Sequence, residues 1–194
     1  TIQGIDSRVF DQNKTVVLTI IRDMFVIKYS DVPKAEDGDL HIHIRSGDIF
    51  GKNPHGGYVL PPLSFYTQII DAHHFENIRI VAEDNKNPCI NALLDKYPRI
   101  KYDKASLMDD AKIIIGAKNI VFGIGSFVPG LLYFNQGIQQ LFYPCNSYTH
   151  QLPELKASVL KHEIDISEYV TQMGPWKNTP GQCELMTNYG FSSE

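Results

Sequence analysis

The chain has no long apolar run, no paired cysteines and no block of basic charge. Nowhere in its 194 residues is there the run of roughly 20 apolar side chains that spans a bilayer, so no transmembrane segment is expected. Its 18 lysines and arginines stand against 22 acids, a net charge of −4, with both signs scattered. A nucleic-acid partner calls for a basic stripe, and none is visible. Any anion-binding site must therefore be local. Cys89, Cys145 and Cys183 are odd in number and far apart, with no CxxC pair, which argues against a zinc site and a disulfide scaffold. Reduced thiols and a cytoplasmic location are expected, with the secretory-pathway lumen as the alternative if the chain is a fragment of a longer one. No Gly-Lys-Ser/Thr occurs, which excludes a P-loop, and the glycines do not complete a dinucleotide fingerprint. There is neither an internal repeat nor a low-complexity tract.

What is present centres on residues 39–50. Leu40, Ile42 and Ile44 alternate with His41, His43 and Arg45, the period of a β-strand with one apolar and one polar face. The strand breaks at Ser46-Gly47-Asp48 into a glycine-rich loop. In α/β folds ligands bind at the carboxyl ends of strands. A histidine and an arginine there suggest an anion, and phosphate suits the planar donor fork of Arg45 best.

The rest of the chain alternates in the same way. Helical spacing covers 14–29, and 30–38 reads as a loop into the key strand. After the loop at 51–58, ended by Pro61-Pro62, helices are expected at 64–74, 88–96, from Ser106 to about 116–118, and at 129–135. Strands are expected at 78–82, 100–102, 119–122 and 139–143. The tail reads as a charged, helical piece within 150–162, an unassigned 164–169 and a closing helix at 182–189. Alternation of this kind gives an α/β fold, a doubly wound, Rossmann-like parallel sheet. The organisation expected is an N-terminal helical segment over 1–37 and a ligand-binding domain over 38–194.

Three strand ends open on one edge of such a sheet: His43 to Asp48, Val81 to Asn85, and Phe122 to Phe127. Arg45 can donate two parallel hydrogen bonds to a diphosphate and offset charge on a leaving nucleotide. Gly125 permits close backbone approach, and Ser126 offers a hydroxyl at the start of a helix. Glu83 or Asp84 can accept from a base or ribose, and His43 can bond a ribose or hold Arg45. Each has a structural alternative. His43 and Arg45 can simply pair with Asp48 or Asp39, 83–85 can be a solvated turn, and glycines punctuate many strand-to-helix turns.

His43-Ile44-Arg45-Ser46-Gly47-Asp48 resembles the His-x-Arg-Arg-x-Asp motif of the superfamily of α1,2-, α1,6- and protein O-fucosyltransferases. The two later junctions look like its second and third motifs in the right order. The stretch 106–134, with Asp109 or Asp110 and Gly125-Ser126-Phe127, is similar to its third block. The resemblance covers roughly residues 38–145. It implies a GT-B fold of two facing Rossmann-like domains, these motifs lying in the one that binds the sugar nucleotide, typically GDP-fucose. It also implies transfer to a glycan hydroxyl with inversion of the anomeric centre, without metal or other cofactor.

Carried over, Arg45 takes the β-phosphate, His43 the ribose or base side, and Glu83 or Asp84 the nucleotide. Ser126 and Phe127 close on phosphates and base. Arg45 and Asp48 are then the expected catalytic residues, with Asp48 or His55 as base by position only. The loop of His55 and Tyr58 reads either as a lid with acceptor contacts or as an ordinary exposed loop. Two departures stand out. Ser46 replaces the second arginine of the motif, and only about forty residues precede it, so 1–37 is at most a remnant of an acceptor-side domain. A UDP-sugar donor (xylosyl or galactosyl transfer), a non-catalytic nucleotide- or sugar-binding module, and an unrelated α/β domain are the alternatives.

Overall fold

Residues 39–43 do form a strand, and it is the third of six in one parallel sheet. The computed structural model of the protein describes residues 29–145 and 152–191. The chain divides into two compact units, Thr1–Val32 and Pro33–Glu194. Of the first, the described part holds a single 3-10 turn, Tyr29–Asp31. The helix expected over 14–29 lies, but for its last residue, outside the described residues.

The second unit contains strands β1 (Asp39–His43), β2 (Asn77–Val81), β3 (Ile100–Tyr102), β4 (Asn119–Phe122), β5 (Gln140–Pro144) and β6 (Leu160–Ile164). Its helices are α1 (Leu63–Ala72), α2 (Pro88–Lys96), α3 (Leu107–Gly116), α4 (Phe127–Leu132), α5 (Ser167–Met173) and α6 (Pro180–Asn188). All strand pairs are parallel, in the order β3-β2-β1-β4-β5-β6. That is the strand order of a Rossmann-like fold, which reverses direction between β1 and β4. Among the described residues no helix is long and apolar enough to cross a membrane.

Local sequence sets the helix starts. Pro88 opens α2 behind Asn87, whose side chain accepts from the Cys89 N–H, a favourable first turn for a residue that lacks an N–H. Ser106 caps α3 by accepting from the Asp109 N–H at 3.2 Å. Thr179 and Gln182 form a capping box on α6.

Helices cover both faces of the sheet. Leu40, Ile42, Ile78, Ile80, Val121 and Phe142 pack on one face with Phe65, Ile69, Ile90, Leu93, Tyr169 and Met186 of the helices. Val81, Ile120, Phe122 and Leu141 pack on the other with Ile114, Val128 and Leu132 of α3 and α4. The expected polar face of β1 is therefore corrected. His41 is only 9% exposed, because crossover helices cover both sides of a parallel sheet.

Three further expectations shift. The strand β6 stands where a helical piece was expected, since Leu160, His162 and Ile164 alternate with the exposed Lys161 and Glu163. Helix α4 begins at Phe127 rather than Pro129, with proline tolerated inside the first turn. The break after Arg45 closes into a 3-10 turn, Gly47–Phe50.

His41 and His43 both lie on the α3 side of β1, and burial makes protonation costly for each. Burial, against Asp39 and aided by Arg79, takes His41 down to about 4. Burial and the neighbouring Arg45 take His43 to about 4 as well. Unfolded histidine titrates near 6.5, so between pH 6.5 and 4 the unfolded chain takes up protons that the folded chain refuses. Stability is complete above that window and falls as pH drops through it, by up to about 3 kcal/mol per histidine. Urea unfolding at pH 7.5 and 4.5 should show the loss, and His41→Leu should show a smaller one.

Candidate functional site

The site begins where β1 and β2 release the chain. The Ile44 N–H still pairs with the Val81 carbonyl at 3.0 Å, and the strand direction ends at Arg45. Beyond it the Ser46 hydroxyl donates to the Asp84 carboxylate at 2.5 Å, and the Gly47 N–H donates to the same oxygen at 3.1 Å. Asp84 also accepts from the Lys86 N–H at 3.1 Å and pairs with its ammonium at 2.9 Å. Burial opposes ionisation there, yet the Ser46, Lys86 and Gly47 donors outweigh it and hold Asp84 well below the usual carboxylate range. Ser46 accepts in turn from the Asn87 N–H at 3.1 Å, while the Asn87 amide donates to the Arg45 carbonyl at 3.0 Å. Ser46 and Asn87 are 1% and 0% exposed. The two strand ends are thus one satisfied polar unit.

Gly47 is required by this arrangement. Its φ is +74°, and a Cβ at that position would meet the Glu83 carboxylate. Asp84 is consumed by the scaffold, whereas Glu83, its neighbour, is exposed over Gly47 and faces the open side.

A cavity of about 430 Å³ opens on the α3 side of these strand ends. His43 and Arg45 from β1, Ala82 and Glu83 from β2, Lys104 and Ala105 after β3, Leu107 and Asp110 of α3, and Phe127 of α4 line it. His43 lies 5.2 Å from Phe127 between ring centroids. With its titration near 4, His43 is a neutral ring at physiological pH and offers one N–H and one acceptor nitrogen. The Arg45 guanidinium pairs with Asp48 at 2.5 Å, with side chains 36% and 77% exposed. An ion pair this open contributes at most about 1 kcal/mol, so an incoming anion can compete for the arginine. Asp110 is 8% exposed. Burial and Asp109 raise its titration against the pull of Arg79, and its carboxylate has no hydrogen-bond partner among the described residues.

Of the residues singled out by sequence, His43, Arg45, Glu83 and Phe127 converge on this cavity. Asp48 stands at its edge through Arg45. Gly125, with φ +112°, and Ser126 form the turn into α4 beside Phe127 but do not line the cavity, and Ser126 makes no side-chain capping bond. His55 and Tyr58 lie elsewhere. Their rings meet edge-on at 5.1 Å, and Tyr58 packs on the cluster under α1, α2 and α6. The Gly56 carbonyl in the same loop accepts from the Trp176 N–H at 2.9 Å. That loop is fastened to the C-terminal tail and does not form a wall of the cavity.

Lys104, Ala105 and Leu107 were not among the expected site residues, and Asp110 had no assigned role. A signal for Asp110 was available. It shares the inner stripe of α3 with Ile114, four residues on, and a carboxylate on an otherwise apolar stripe needs an explanation. No protein-family model matches the chain, and no curated protein matches it.

Replacing Gly47 by alanine should force a side chain into a left-handed position and displace Glu83. A loss of about 1–3 kcal/mol is expected, measured by urea unfolding against the parent.

Proposed function

We propose that this domain binds a nucleoside diphosphate sugar, GDP-fucose being the favoured donor, and serves an inverting, fucosyltransferase-like transfer of GT-B type to a glycan hydroxyl. The observation that carries the reading is the entry of His43 and Arg45, from the end of β1, into a 430 Å³ cavity opposite Glu83 and Asp110. The volume lies in the usual range for small-ligand sites, and the carboxyl edge of β1 and β2 is where Rossmann-like sheets take nucleotides.

The lining supplies a partner for each part of such a ligand. Glu83 follows β2, the position from which an acid takes ribose hydroxyls in this fold. Asp110, an acceptor-only group when ionised, matches the adjacent N1–H and 2-amino donors of guanine. Uracil offers one N–H between two carbonyls, which a buried carboxylate repels, so the cavity favours GDP over UDP. Phe127 provides an apolar surface beside the His43 ring.

Arg45 then turns from Asp48 to the β-phosphate. As the acceptor oxygen bonds to the anomeric carbon, the bond from that carbon to the β-phosphate oxygen breaks, and its electron pair leaves with GDP. Preorganised positive charge at that oxygen lowers the barrier. The acceptor proton must pass to a base, and Asp48 holds that role by position once Arg45 has left it. The three cysteines are free thiols, which fits a reducing, cytoplasmic setting.

Calorimetry with GDP, UDP and GDP-fucose tests the reading, and GDP should bind more tightly than UDP. Arg45→Ala should weaken GDP by about 10- to 100-fold, the worth of hydrogen bonds to a charged group, with the melting temperature unchanged. Asp110→Asn should narrow the GDP/UDP difference. Failure of every nucleoside diphosphate to bind would sink the reading. Binding without transfer across a panel of glycan acceptors would reduce it to a non-catalytic module.

A further inference from the structure

The only tryptophan of the chain grips the backbone directly behind Arg45 and Asp48. Trp176 is 1% exposed. Its indole N–H donates to the Ile49 carbonyl at 2.8 Å, its backbone N–H to Gly56 at 2.9 Å, and its ring meets Phe50 edge-on at 5.5 Å. Two residues on, the Asn178 amide donates to the Phe50 carbonyl at 2.9 Å and to Gly51 at 3.4 Å. Asn178 has φ 55° and is the one non-glycine residue of positive φ among those described. A left-handed residue costs about 1 kcal/mol or more, and here the grip on the turn compensates it.

A one-turn 3-10 helix cannot satisfy its own last carbonyls. The tail supplies their donors from 127 residues away in sequence. Those carbonyls belong to residues 49–51, so the tail holds the far end of the Gly47–Phe50 turn while Asp84 holds its first residue, and Asp48 sits between the two anchors. The glycines at 47, 51, 56 and 57 would otherwise leave this segment many conformations.

We infer that Trp176 and Asn178 are positioning residues for the diphosphate end of the cavity. They hold the turn that follows Arg45, which keeps the guanidinium at the cavity mouth and Asp48 in reach as the partner it leaves when it turns to the phosphate. Neither touches the ligand. The base end, built on α3 and the end of β2, does not depend on them. This inference rests on the nucleotide reading above.

The single indole makes the coupling measurable with and without ligand. In the ligand-free protein, Asp48→Asn should shift the indole N–H resonance of Trp176. An unmoved resonance overturns the inference, whatever the cavity binds. Asn178→Gly keeps the left-handed backbone and removes only the amide. It should weaken GDP by roughly three- to tenfold, the worth of one net hydrogen bond, and leave the affinity for guanosine as in the parent. An equal loss for GDP and guanosine, or a loss for neither, overturns the positioning role while wild-type GDP binding upholds the site. If the wild type binds no GDP, the nucleotide reading falls and this inference falls with it.

Discussion

The hydrogen bond from the Ser46 hydroxyl to Asp84 decides where the two central strand ends point. Asp84 takes donors from Ser46, Gly47 and Lys86, so the loop after β1 and the loop after β2 cannot move separately. Asn87 extends the same unit to the Arg45 carbonyl and to the first turn of α2. Arg45 and Glu83 therefore face the cavity from a rigid base. Buried polar groups of this kind are costly when left unpaired and specifying when every partner is present. Position 46 is too enclosed for a guanidinium, and a serine there is a structural member of the unit. The site must do with one arginine on this strand and Lys104 across the cavity.

The cavity wall carries both signs of charge. Arg45 and Lys104 stand with Glu83 and Asp110, while His43 stays neutral because burial makes its charged form expensive. A wall with only cations would favour any polyanion. One that pairs cations with carboxylates suits a ligand that is an anion at one end and a hydrogen-bond donor at the other, and a nucleotide has both.

Much of this fold was legible where punctuation and period agree. Pro88 after Asn87, Ser106 before two acids, and the apolar run 120–122 behind Asn119 marked α2, α3 and β4 closely. In the tail the closing helix was legible, as α6 over Pro180–Asn188, but β6 was not, for the same reason that it is exposed. An edge strand bearing Lys161 and Glu163 buries little, and its pattern is weak. Within the site, His43 and Arg45 could be read because strand alternation puts them on one face. The inward turn of Asp110 depends on the phase of α3 against the sheet. The fastening of residues 49–56 depends on Trp176 and Asn178, which no local pattern around the loop could reveal.

The strand order has a temporal consequence. β1 is the earliest of the six strands in the chain and lies between partners that come much later. Asn77, whose amide bonds the Asp39 side chain, follows it by 38 residues, and Asn119, whose amide bonds the Asp39 carbonyl, by 80. During synthesis β1 leaves the ribosome with both edges open, gains β2 first, and waits for β4 before its second edge is closed. Its unpaired edges and its alternating Leu40, Ile42 and Ile44 make that interval the one most open to wrong pairing. The strand that carries the site is thus the first to be made, and it is completed only when β4 follows it.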